Sequence, residues 1–366
     1  MEILNKIESP SGAWIIVDGR DVLSFGGCCY LGLSKVPELI EAGTEALKQF
    51  GMTAQLSRYY GFSRLPSSRV EEAARDFFDV DSAMYFSTGY LFGMIALSGL
   101  ADQYDVIFLD EKAHYSLREG AAITGKPVYT FRHMDAEDLA RSIEGQLLPG
   151  QIPLVATDGM FPTFGTIPPL DTYQRILKDY GGWLVVDESH SFGSVGAKGR
   201  GAAEQLSLDR KNVVTGGSLA KAFCAYGGVA LGSEAAIASM RKASAARGST
   251  HGTACSEAVA AASLAYVRQH PELLSKRREN TRQLKRGLKE MGISVDESDS
   301  PVSTFTLGNA ETMIRLQRDL WEKGIFVGYT TYVGAGPEGA IRCAVFSDHE
   351  PEDIDRLLLE LKAVIS

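Results

Sequence analysis

Short runs of consecutive apolar residues alternate with amphipathic stretches along most of this chain, and that rhythm predicts an α/β fold. Ala83 to Phe86, Val106 to Leu109, Val128 to Phe131, Leu154 to Ala156 and Trp183 to Val186 are brief and largely apolar. Such runs lack the alternation of a strand with one wet face and read as strands buried in a parallel sheet. Between them, apolar positions recur at helical spacing around Ser116 to Thr124, Ala136 to Glu144 and Leu170 to Tyr180. Strand and helix repeated at this interval imply a mostly parallel sheet in a large domain, covered by helices on both faces. Two more strands follow, one opening at Asn212 and one spanning Gly227 to Gly232.

Ahead of this series, Ala13 to Phe25 alternates apolar and polar residues around Asp18-Gly19, a hairpin signal. Pro37 to Phe50 has helical spacing, and another helix begins after Ser67-Ser68, with Glu71 and Glu72 near its positive end. Beyond the series an Ala-rich helical region runs from about Ser256 to Met291. It is followed by strand (Ser303 to Leu307), helix (Thr312 to Lys323), strand (Ile325 to Val327), strand (Ile341 to Phe346) and helix (Pro351 to Ile365). That order is expected of a small C-terminal α+β domain. The implied division is 1–45 for an N-terminal hairpin and helix, 46–245 for the large domain, 246–290 for connecting helices and 291–366 for the small domain.

Length and charge narrow the picture. A chain of 366 residues exceeds one typical core, in keeping with two domains. A net charge of -9 argues against nucleic acid or an anionic membrane as the main partner. No window reaches the apolar length of a membrane span, and the first ten residues carry acids rather than a signal-peptide core, so a cytoplasmic location is expected. The five cysteines are odd in number and show no CxxC or Cys/His ligand spacing, which predicts reduced thiols and no metal site.

Candidate chemistry gathers between Gly181 and Gly228. The apolar run at Trp183 ends abruptly at Asp187, with His190 three residues on. The next strand ends in a small-residue turn that presents Ser218 and Lys221. Open α/β sheets bind ligands at the carboxyl ends of their strands, so two neighbouring strands aim a carboxylate, an imidazole, a hydroxyl and an amine at one crevice. A lysine forms a Schiff base with an aldehyde, and pyridoxal 5'-phosphate (PLP) needs such a lysine and a carboxylate at its ring nitrogen. An adjacent anion keeps that nitrogen protonated, which makes the ring an electron sink. Small residues at Ser87 to Tyr90, where a strand leads into a helix, leave backbone amides available to a phosphate.

The segments VVDESHSFG (Val185 to Gly193) and GSLAKAF (Gly217 to Phe223) resemble the Asp-x-x-His and Ser/Thr-x-x-Lys motifs of fold-type-I PLP enzymes. Within that superfamily the chain is similar to the α-oxoamine synthases. Further similarity lies in CYLGLS (Cys29 to Ser34), STGYLFG (Ser87 to Gly93), DEKAHYSLREGA (Asp110 to Ala121), TDGMFPTFG (Thr157 to Gly165) and AIRCAVFSDHEPEDIDRLL (Ala340 to Leu358). The resemblance implies a homodimeric, PLP-dependent acyltransferase with the fold-type-I transferase architecture. Its substrates would be a small α-amino acid and an acyl thioester, and its product an α-aminoketone, formed in most of the family with loss of carbon dioxide.

Residue by residue, the resemblance makes Lys221 the Schiff-base lysine and the acid/base for the Cα proton. It pairs Asp187 with the pyridine nitrogen, sets His190 near the phenolic oxygen and stacks His114 on the ring. Gly89, Tyr90 and Ser218 become phosphate ligands, with Thr250 reaching in from a second subunit, although the Pro-Pro that usually follows is absent here. Arg342 takes the substrate carboxylate, which its planar fork suits, and Asp158 stands behind the site. The family usually has Asn near Cys28-Cys29, in contact with substrate, so Cys29 takes that place. It also has a small-residue stretch where this chain has SRYYGFSRLPSSRV (Ser57 to Val70), with the large Arg58, Tyr59, Tyr60 and Arg64. The same residues leave transamination or racemisation without a thioester as an alternative. A catalytically silent partner subunit would lack the lysine that this chain keeps.

Overall fold

A computed structural model describes residues 5–365. The chain forms two compact units. The larger comprises Pro37–Phe161 and Ile167–Gln269, and the smaller comprises the chain up to Val36, Pro162–Thr166 and everything from His270 onward.

The smaller unit opens with the expected hairpin, β1 (Trp14–Val17) and β2 (Arg20–Ser24), paired antiparallel with Trp14 opposite Leu23. Asp18 and Gly19 have φ of 48° and 74°. Two consecutive left-handed residues match the twist of the flanking strands, which is why Asp-Gly is favoured there.

In the larger unit seven strands form one sheet: β3 (Ser82–Phe86), β4 (Val106–Asp110), β5 (Val128–Phe131), β6 (Pro153–Asp158), β7 (Trp183–Asp187), β8 (Val213–Ser218) and β9 (Gly228–Gly232). Their spatial order is β3-β9-β8-β7-β6-β4-β5. Only β9 runs against its neighbours, β3 and β8. Apolar side chains cover both faces. Ile107, Leu109, Ala156 and Val185 join one core with Phe92, Leu117 and Ile237. Val106, Phe108, Val155, Leu184 and Val186 join the other with Leu139, Ile143 and Leu177. Burial on both sides explains the unbroken apolar runs, and the expected mostly parallel, two-faced sheet is what forms.

The helical region read as one connector from the sequence divides at Pro271. Helix Ala254–Gln269 packs within the larger unit, and helix Glu272–Glu290 belongs to the smaller. Proline has no amide hydrogen to give to a preceding turn, and its fixed φ, -65° here, suits a helix start. The smaller unit then adds β10 (Val302–Phe305), β11 (Ile325–Phe326), β12 (Gly328–Thr330) and β13 (Ala340–Ala344). β13 lies between β10 and β12, antiparallel to both, and β11 extends the hairpin beside β2. Helices Glu272–Glu290, Ala310–Glu322 and Pro351–Ile365 contribute Leu284, Leu316 and Leu357 to the core beneath. β12 was not anticipated, because three half-buried residues that begin with a glycine carry too little periodicity to stand out.

Candidate active site

Three adjacent strands end together. β6 ends at Asp158, β7 at Asp187 and β8 at Ser218, and Asp158 is the register partner of Asp187. Both carboxyl groups are buried. Asp187 Oδ1 accepts the Ser189 amide at 3.0 Å, and Oδ2 accepts from the Ser116 hydroxyl at 3.4 Å. Ser189 Oγ in turn accepts the Ser218 amide at 2.8 Å, which ties the two strand ends together. Gly217 makes this approach possible: its φ is +145°, and a Cβ there would lie 2.5 Å from Ser189 Oγ.

His114 caps the helix Tyr115–Ala122 that follows β4. Its amide donates to Asp158 Oδ2 at 2.9 Å, and its Nδ1 lies 2.7 Å from Ser116 Oγ. Burial lowers the His114 pKa; the Asp187 carboxylate opposes that shift and the Lys221 ammonium adds to it. Burial also raises Asp158 well above the carboxylate range, reinforced by the Asp187 charge and partly countered by the His114 amide and Lys221. Lys221 thus acts on His114 and Asp158 alike, so amine, imidazole and two carboxyls share one electrostatic neighbourhood.

Lys221 is half-buried, in a turn held by the Cys224 amide on the Lys221 carbonyl and the Ala225 amide on the Leu219 carbonyl. Ser218 Oγ accepts the Ala220 amide at 3.1 Å. Gly89 begins the turn after β3 and lies against Ser218, where a Cβ would come within 2.3 Å of the Ser218 Cβ. The Tyr90 hydroxyl donates to Glu119 at 2.8 Å, and its ring meets the His114 ring edge-on at 5.9 Å. His190 is buried in the turn after β7. Thr250 is exposed and bridged antiparallel to Ser57.

In the smaller unit, Arg342 lies on β13, and each of its three guanidinium nitrogens donates once within the protein, which leaves two of its five N–H groups. Nε donates to the Pro162 carbonyl at 2.9 Å, Nη1 to the Gly27 carbonyl at 3.1 Å and Nη2 to the Tyr30 hydroxyl at 3.3 Å. All three partners are neutral, and no carboxylate of the described residues pairs with Arg342 within ion-pair distance. The Cys28 thiol interacts with both Arg342 and Tyr30, whereas Cys29 is buried. Burial, then the neighbouring Cys28, raises the Tyr30 pKa well above the phenol range. Ser116, Ser189, Cys28 and Tyr30 were not singled out from the sequence. Ser116 and Ser189 each stand two residues after a named site residue, the spacing at which a serine turns back on its neighbour.

The aminotransferase class I and II family matches residues 20–361 of the chain. The 8-amino-7-oxononanoate synthase of Coprothermobacter proteolyticus is 29% identical over 99% of this chain and 92% of its own length. That of Stutzerimonas stutzeri is 32% identical, over 96% and 90%. Among solved structures, a serine palmitoyltransferase from S. paucimobilis with a bound PLP-myriocin aldimine superposes with a TM-score of 0.92 at 26% identity, covering 99% of this chain and 92% of that one. The chain belongs to the aminotransferase class I and II family and, within it, to the α-oxoamine synthases.

Proposed function

We propose that this protein is a PLP-dependent acyltransferase that condenses a small α-amino acid with an acyl thioester, releasing the thiol and, with loss of carbon dioxide, an α-aminoketone. The observation that carries it is the convergence of Lys221, Asp187, Asp158 and His114 at the carboxyl ends of adjacent strands. Its named relatives catalyse this class of condensation, which favours it over transamination or racemisation.

The residues present fit the cofactor. Lys221 supplies the amine for an aldehyde, and Asp187 supplies a buried anion for a ring nitrogen. Gly89 packs directly against Ser218 with no side chain of its own, so main-chain amides and the Ser218 hydroxyl are the candidates for a phosphate. Tyr90 is the second candidate there, His190 is assigned to the phenolic oxygen and His114 to the ring face. Thr250, exposed, is assigned to the phosphate of a second copy in a homodimer. When bound, PLP supplies an electron sink conjugated to the substrate Cα.

The chain's own residues do the rest. Arg342 holds the amino acid carboxylate through its planar fork, with Cys29 in the segment beside it. Lys221 Nζ takes the Cα proton, the new Cα–C bond forms at the acyl carbon as the C–S bond breaks, and the sulfur leaves as a thiolate that takes a proton from solvent. After carbon dioxide is lost, Lys221 returns a proton to Cα. Near this amine, burial shifts both Asp158 and His114 toward their neutral forms. A cytoplasmic location is part of this proposal; among the described residues no helix is long and apolar enough to cross a membrane.

The test is a product assay on purified protein with added PLP, an amino acid panel and an acyl-CoA. Thiol release and carbon dioxide should appear only with both substrates. Keto acid formed without thiol release would move the assignment to transamination, and turnover that survives Lys221→Ala would remove it.

A further inference from the structure

Helix N-caps are ordinarily Ser, Thr, Asp or Asn, whose side-chain oxygen accepts a free amide of the first turn. At the helix Tyr115–Ala122 an imidazole takes that place: the Ser116 amide donates to His114 Nδ1 at 3.2 Å. A ring nitrogen accepts an amide hydrogen only through a lone pair, so Nδ1 carries no proton. A neutral ring must then carry its hydrogen on Nε2. The Ser116 hydroxyl meets the same Nδ1 at 2.7 Å and Asp187 Oδ2 at 3.4 Å. With both neighbours acting as acceptors, its single hydrogen lies between imidazole and carboxylate.

We propose that Ser116 is a positioning residue: its amide and hydroxyl together lock His114 in the Nε2–H tautomer and link that choice to Asp187. His114 thereby offers the crevice a hydrogen-bond donor in place of a basic nitrogen. This deepens the function proposed above and rests on it for the consequence, but the tautomer belongs to the protein alone.

The surroundings agree. Protonation of Nδ1 would turn a hydrogen against the Ser116 amide and place a cation at the positive end of a helix, both unfavourable. Of the charged groups facing the ring, Asp187 and Glu119 favour the imidazolium and Lys221 opposes it, with burial the largest influence and directed toward the neutral form. The Tyr90 and Tyr115 rings flank it at 5.9 and 6.1 Å, and Asp158 holds the amide of the same residue. Ser116 is fully enclosed, so no water competes for its hydroxyl. A histidine fixed in this way polarises a carbonyl or carboxylate oxygen without taking protons from the Cα, a division of labour that leaves proton transfer to Lys221.

Long-range proton–nitrogen spectra of protein labelled in its six histidines test this directly, without added cofactor. The His114 signals are assigned by their loss in His114→Asn. Wild type should show an unprotonated Nδ1 and a protonated Nε2, persisting as pH falls below the ordinary histidine value of about 6.5. Ser116→Ala should move the His114 midpoint upward, and Ser116→Thr should restore it. A protonated Nδ1 in wild type overturns the proposal even if the variants fail to fold, as does an unmoved midpoint in folded Ser116→Ala. An error in the assigned reaction would leave all these spectra unchanged, so the two failures are distinguishable.

Discussion

Asp158 and Asp187 stand opposite one another in register at the ends of adjacent parallel strands, and burial together with the Asp187 charge holds the Asp158 carboxyl well above the ordinary range. Asp158 also accepts the His114 amide. Asp158→Asn keeps that acceptor and should change stability by less than about 1 kcal/mol, whereas Asp158→Leu leaves the amide unpaired and should cost about 1–3 kcal/mol. Thermal denaturation distinguishes the two. The folded state keeps this proton at pH values where the unfolded chain has lost it. Stability from Asp158 therefore falls as pH rises from about 3.9 to the raised value, and Asp158→Asn should flatten that part of the profile.

His349 provides the opposite sign. It is buried, accepts the Phe346 amide at Nδ1 (2.9 Å), donates from Nε2 to the Ser24 carbonyl (3.0 Å) and stacks on Phe25 at 4.4 Å. Burial lowers its pKa, so the unfolded chain takes up a proton first as pH falls. Stability from His349 is present above about 6.5 and is lost as pH drops toward the lowered value. His349→Phe should cost about 1–3 kcal/mol for each group left unpaired and should remove this acid sensitivity. Urea titrations at several pH values read both effects.

Arg342→Lys tests the fork. An ammonium has no planar array to serve the Pro162 carbonyl, the Gly27 carbonyl and the Tyr30 hydroxyl together while presenting parallel donors to a carboxylate. The amino acid KM should rise about tenfold or more, equivalent to about 1.4 kcal/mol, with a smaller change in the thioester KM. Steady-state kinetics with each substrate varied in turn separates them.

Gly89→Ala and Gly217→Ala probe the main-chain approach. At Gly89 the new methyl meets Ser218 backbone at 2.4 Å, and at Gly217 it meets Ser189 while demanding φ of +145°. Strain of about 1–3 kcal/mol should weaken PLP binding about tenfold or more. Absorbance titration of cofactor into dialysed protein measures this, and circular dichroism shows that the fold survives.

Strands buried on both faces were legible because Val106 to Leu109 and Trp183 to Val186 leave no polar side, and Asp18-Gly19 announced its turn through backbone conformation. Asp187 and Lys221 stood out because one ends a strand and the other follows the end of its neighbour at the ligand-binding end of the sheet, whereas His114 was legible only through the family resemblance. Ser116 and Ser189 did not, since a serine two residues after a site residue is commonplace and acquires meaning only through what it bonds. The break at Pro271 was obscured by the helix-forming residues on either side of it. Cys28 was missed because nothing in a Cys-Cys pair says which thiol turns toward an arginine brought over from β13.

The strand order carries a consequence for how the molecule is made. β3, the first strand of the large sheet to leave the ribosome and the one that delivers Gly89, has β9, the last, as its hydrogen-bonded neighbour. Until Gly228–Gly232 has been synthesised and has slid between β3 and β8, the nascent chain holds an unpaired strand edge at β8. Long-range pairing of this kind is slow to nucleate, so maturation of the pocket should be the final act of folding in this unit.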